Sequence, residues 1–161
     1  MSCTSASACT AVGSSGAGPL AERWNGTRWT IQATPNPRQG GGELNGVACT
    51  SASACTAAGN SNTGNLAERW NGSSWSIQTT PNPAGAQFTF LNTVACASAS
   101  ACTAAGAYIN SSGAFQALAE VQATPISWLI APPASWGVGW MAQLVPSHRS
   151  ARAWNAPEEL M

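Results

Sequence analysis

One pattern of about 46 residues recurs along this chain, and that period restricts its fold more than any other feature. The clearest copy reads Cys49-Thr-Ser-Ala-Ser-Ala-Cys55-Thr-Ala-Ala-Gly59. After a Ser/Asn/Gly loop it continues as Leu66-Ala-Glu-Arg-Trp70-Asn-Gly-Ser-Ser-Trp75-Ser-Ile-Gln-Thr-Thr-Pro81-Asn-Pro83. An earlier copy occupies Cys3–Gly13 and Leu20–Pro37, and a later one Cys96–Gly106 and Leu118–Glu120. Equivalent cysteines lie 46 and then 47 residues apart. A period of this size marks a modular array in which each unit buries its faces against its neighbours. The units are read as 1–37, 38–83 and 84–125, followed by a divergent tail, 126–161.

Within a unit the signals are those of short strands. Asn25-Gly26 and Asn71-Gly72 sit between apolar alternations and are strong hairpin turns, because both residue types accept positive φ. Alternation puts Leu20, Glu22, Trp24, Trp29 and Ile31 on one face and Ala21, Arg23, Arg28 and Thr30 on the other. Lengthening the turn by two residues leaves those faces unchanged. Copy two repeats the pattern with Leu66, Trp70, Trp75 and Ile77. The Pro-Asn-Pro segment closes each unit, since proline cannot continue a ladder. Arg38–Leu44 and Ala84–Gln87 read as linkers, and strands are expected at Leu44–Ala48 and Phe88–Ala95, before each first cysteine. Four strands per unit is the content of a β-propeller blade. The expected fold is therefore all-β, an incomplete β-propeller-type array of four-stranded blades.

The third copy departs from this plan. Leu118-Ala-Glu120 runs directly into Val121-Gln122-Ala-Thr-Pro125, as if the residues equivalent to Arg23–Thr30 were missing. It is expected to lack the outer tryptophan hairpin. The tail carries faint echoes of the repeat at Trp136–Trp140 and Ala151–Asn155, which suit a degenerate fourth blade; frame-shifted sequence is the competing reading. A third reading makes 127–145 a weak candidate membrane span with Arg149 and Arg152 behind it. Pro132-Pro133 and two glycines make that segment a poor helix.

The six cysteines form one spacing three times: Cys3/Cys9, Cys49/Cys55 and Cys96/Cys102, with five residues between partners. Across a hairpin such partners face each other, so local disulfides are the leading reading, each contributing roughly 2 kcal/mol. Buried thiols and a metal site are the alternatives. Zinc knuckles use shorter spacings with further ligands nearby, and the sole histidine, His148, lies outside the repeats. Disulfides imply an extracellular or cell-surface location. The chain enters its first repeat at Cys3 without a signal peptide, which is the expectation for a fragment of a longer protein.

These residues resemble a family. Cys-Thr-Ser-Ala-Ser-Ala-Cys-Thr-Ala-Val-Gly followed by Leu-Ala-Glu-Arg-Trp-Asn-Gly-x-x-Trp is similar to the cysteine-paired repeats of exported actinobacterial proteins. More distantly, Ala11-Val12-Gly13 and Asn25-Gly26-Thr27-Arg28-Trp29 resemble the strand and hairpin of BNR/Asp-box propellers, and the outer hairpin resembles that of kelch blades. The resemblance spans about residues 2–125 and implies a propeller-type binding or scaffold module. Asn25 and Asn71 stand where an Asp box has aspartate, so no calcium or Asp-box chemistry carries over.

Chemistry is sparse. Charged residues make up 7% of the chain, with no aspartate, no lysine and a net charge of zero, which removes the electrostatic footprint that nucleic acid requires. A glycosidase needs paired carboxylates. The repeats supply one each, Glu22, Glu68 and Glu120, and a structural role beside the adjacent arginine is expected. A sialidase set would want an aspartate and a nucleophilic tyrosine, where this chain has only Tyr108; a serine triad would rest on His148 without an aspartate. Asn25, Asn71 and Asn110 match the N-glycan acceptor pattern but sit at turns. Trp24, Trp29, Trp70 and Trp75 are a possible ligand platform for sugar rings; because they share a face with Leu and Ile, packing between blades is the preferred reading. The functional expectation is a non-catalytic module without cofactor or metal, whose partner is a protein or a cell-envelope glycan, or which self-associates through open blade edges. The alternatives are a segment of a larger secreted enzyme whose catalytic residues lie elsewhere, and a truncated reading frame without function.

Overall fold

The computed structural model describes residues 1–37, 41–122 and 127–130. Among these residues the chain is all-β, with three four-stranded antiparallel sheets, each made from consecutive strands. Sheet 1 holds β1 (Ser2–Ser5), β2 (Ala8–Ser15), β3 (Gly18–Trp24) and β4 (Trp29–Gln32). Sheet 2 holds β5 (Gly42–Ser51), β6 (Ala54–Ser61), β7 (Gly64–Trp70) and β8 (Trp75–Gln78). Sheet 3 holds β9 (Ala86–Ser98), β10 (Ala101–Asn110), β11 (Phe115–Gln122) and β12 (Ser127–Ile130).

Turn chemistry sets the registers. Asn25 and Asn71 open four-residue loops, so Trp24 faces Trp29 and Trp70 faces Trp75. In the first loop the Asn25 Oδ1 accepts from the Thr27 N–H at 3.0 Å, the Thr27 hydroxyl at 2.8 Å and the Arg28 N–H at 3.0 Å. Asn71 repeats this with Ser73 and Ser74, and Asn110 does the same work with Ser112 and Ala114. The three Asn-x-Ser/Thr sites are thus Asx-type turns. Gly26 and Gly72 follow at φ 98° and 99°, where only glycine is unstrained.

Each cysteine pair stands directly opposite across the first hairpin of its sheet and is bonded: Cys3–Cys9, Cys49–Cys55 and Cys96–Cys102, with S–S distances of 2.03, 2.05 and 2.07 Å. Free thiols are absent, and among the described residues no cluster of metal-ligating side chains occurs.

The sheets stack face to face in chain order. Sheet 2 presents Cys55, Ala57, Leu66, Trp70 and Trp75 to sheet 1, which closes on them with Ala21 and Val12. Its opposite face presents Ala58 to Leu91, Val94, Cys102, Ala104 and Leu118 of sheet 3. Both interfaces use the same bond between equivalent residues: Thr10 Oγ1 lies 3.7 Å from Cys55 Sγ, and Cys102 Sγ lies 3.3 Å from Thr56 Oγ1. The first strands run side by side, β5 touching both β1 and β9.

Two departures from expectation concern the ends of the array. The outer strand of sheet 3 is β12, beyond residue 125 where the third unit was expected to end. It pairs Glu120 with Trp128 and Leu118 with Ile130, so the sheet has four strands although the tryptophan hairpin is gone. The candidate span 127–145 therefore begins in a strand; its remainder, like the rest of the tail, lies outside the described residues. Among those described, no helix is long and apolar enough to cross a membrane. At the other end β1 begins at Ser2, opposite Thr10, so β2 from Ala11 to Ser15 is paired on one side only, with β3. A glycine shows the consequence. A Cβ on Gly59 or Gly106 would strike the carbonyl of Glu43 or Phe90 on the first strand, whereas at the equivalent Gly13 the space is open.

Candidate functional site

Two of the three repeated glutamates lie in the stacking interfaces, and the third, Glu22, is half-buried on the uncovered face of sheet 1. Glu68 is fully buried against sheet 1, and Glu120 is buried against sheet 2. Glu68 does not take the expected place beside Arg69, because adjacent strand residues point to opposite faces, and Glu120 is followed by Val121 in place of an arginine. The arginine of sheet 1 instead crosses the interface: the Arg23 guanidinium sits 5.8 Å above the Trp70 ring, a cation–π contact.

The two carboxyls differ in one partner. Asn65 reaches across from sheet 2 and donates to Glu120 Oε1 at 2.6 Å. In sheet 1 the residue equivalent to Asn65 is Pro19, which has no side-chain donor, and both oxygens of Glu68 lack a hydrogen-bond partner among the described residues. Burial pushes Glu68 up to about 7. It pushes Glu120 to about 7 as well, against the lowering pull of Asn65. Held near neutrality, a buried carboxyl keeps its proton and avoids desolvating a charge.

A pH dependence follows. Below about pH 4.5 the carboxyls are protonated in folded and unfolded chain alike, and their contribution is fully present. As pH rises toward 7 the unfolded chain ionises first, so stability falls across that window. The loss is on the order of 2–3 kcal/mol per glutamate. Urea midpoints at pH 4.5, 6 and 8 should decline in that order, and Glu68→Gln should flatten the slope. A stability that rises from pH 4.5 to 7 would show that the carboxyls are charged in the fold.

The tryptophans divide. Trp70 and Trp75 stack at 5.8 Å and 42° and are 7% and 6% exposed inside the first interface, where Trp75 Nε1 donates to Gln32 Oε1 at 3.0 Å. They are packing residues. Trp24 and Trp29 form the same pair at 5.7 Å and 44°, yet Trp29 is 41% exposed.

A separate open groove of about 610 Å3 lies along one rim of the stack. It is walled by the end of β2, the β6–β7 turn and the starts of β5 and β9. Its lining is amide and hydroxyl, including Asn60, Asn62, Thr63 and Gln87, with the exposed Phe88 beside them; Glu43 is the one ionisable side chain among the described lining residues. No sequence reading singled these residues out, because they fall in a loop, two linkers and a strand start. The available signal was topological: equivalent loops of antiparallel repeats must emerge at the same rim.

Fold and site together define a class: an all-β protein of stacked, disulfide-closed, four-stranded sheets with a polar groove, carrying the carboxyl of Glu43, at one rim. No protein-family model matches the chain, and neither a curated protein nor a solved structure matches it.

Proposed function

We propose that this chain is a non-catalytic binding or scaffold module of an exported or cell-surface protein, built from propeller-type blades, and that its rim groove takes a neutral, polyhydroxylated ligand such as a cell-envelope glycan. The groove carries this reading. Side-chain amides and hydroxyls match sugar hydroxyls, an exposed aromatic ring suits the apolar face of a sugar, and the size suits a short saccharide. Three intrachain disulfides fit an oxidising compartment. Sequential strand order, first strands side by side and face-to-face stacking are in keeping with propeller blades. The paired carboxylates a glycosidase would need have no counterpart in the placement of Glu68 and Glu120, which are buried in different interfaces.

The test is a glycan array with the oxidised full chain, followed by calorimetry on any neutral polysaccharide that binds. Phe88→Ala should weaken binding roughly tenfold. It should leave the unfolding midpoint unchanged, since Phe88 is 61% exposed. Absence of neutral-glycan binding, or binding that Phe88→Ala does not alter, would overturn the groove assignment.

A further inference from the structure

We infer that two copies of this chain join head to tail, the Trp24/Trp29 face of one covering the outer face of sheet 3 of the other. The chain itself shows twice what covers such a face. In sheet 2 the residues equivalent to Trp24, Trp29 and Glu22 are Trp70, Trp75 and Glu68, all buried by the back of sheet 1. In sheet 3 the equivalent of Glu22 is Glu120, buried by the back of sheet 2. Only in sheet 1 is this face open, with Ile31 73% exposed beside Trp29.

The covering face is also repeated. It carries Thr10, Val12 and Ala21 in sheet 1, Thr56, Ala58 and Ala67 in sheet 2, and Thr103, Ala105 and Ala119 in sheet 3. The first two sets lie against the next sheet, and Ala58 is fully buried there. Its equivalent Ala105 is exposed. Small side chains leave room for the tryptophan pair, and Val121 stands where Arg23 covers Trp70, offering an apolar surface in place of a cation.

A front that fits a back is a heterologous contact, which forms a ring if the rotation closes. The three four-stranded sheets of the described residues fall short of the four to eight blades of closed propellers, and those of two copies fall within that range. The second copy thus covers the exposed front of sheet 1 and the exposed back of sheet 3.

The experiment is sedimentation of the oxidised full chain over a concentration series, with two surface variants. Wild type should form a dimer and stop there. Trp29→Lys and Ala105→Lys should each weaken dimerisation at least about tenfold. Both positions are exposed in the single chain, so circular dichroism and the unfolding midpoint should be unchanged, and a variant that fails this check is replaced by Ile31→Lys or Thr103→Lys. Mixing the two variants should restore association, because an intact front then meets an intact back. A wild type that stays monomeric, polymers beyond the dimer, an Ala105→Lys chain that dimerises normally, or a mixture that stays monomeric would each overturn the inference.

Discussion

Trp75→Ala is expected to destabilise the chain by about 3–5 kcal/mol, read as a fall in the urea midpoint with an unchanged slope. The ring is 6% exposed and fills the interface of sheets 1 and 2 among Ala21, Leu44, Ala57 and Trp70. Truncation opens a cavity there and removes the indole N–H from Gln32. The equivalent change in sheet 1, Trp29→Ala, should cost far less, since that ring is 41% exposed in the single chain. An unchanged melting curve for Trp75→Ala, together with loss of polysaccharide binding, would instead make the ring a ligand platform.

Reduction of the three disulfides should cost more still. A loop of this length contributes about 2 kcal/mol when closed, so three independent bridges give on the order of 6 kcal/mol. That is comparable with the whole stability of a small domain, about 5–15 kcal/mol. The reduced chain should therefore unfold at far lower urea or fail to fold. Each bridge also ties the first strand of its sheet to the second, where β1, only Ser2–Ser5, has few ladder bonds of its own. Non-reducing peptide mapping should return 3–9, 49–55 and 96–102. Bridges between sheets, or a reduced chain as stable as the oxidised one, would refute this account.

Both effects were legible in the residues to different degrees. The cysteine spacing placed partners across a hairpin, a local matter of turn length, and the structure has those three bridges. The tryptophans were placed on one face by alternation alone, and a longer turn could not change that face. Whether a neighbour covers the face is not a local property. Trp70 and Trp24 have nearly identical sequence surroundings, and one lies inside an interface while the other lies on the end sheet.

The glutamates show the same limit. A structural role beside the adjacent arginine was expected, but alternation sends Glu68 and Arg69 to opposite faces, Glu120 is followed by Val121, and stacking decides what each meets. The difference between Glu68 and Glu120 depends on a residue one repeat away, Pro19 against Asn65. The outer strand of sheet 3 was missed because Ser127–Ile130 lacks the Asn-Gly turn and tryptophan pair that mark it elsewhere.

The sequence by itself determined the period, the strands, the turns, the cysteine pairs and the two faces of each sheet, because these follow from side-chain alternation and backbone preferences over a few residues. The tertiary structure alone decided which faces are buried, that Glu68 and Glu120 lie in desolvating interfaces, and where the loops converge on a groove. Those depend on the order and closeness of the sheets, which bring together residues about one repeat apart.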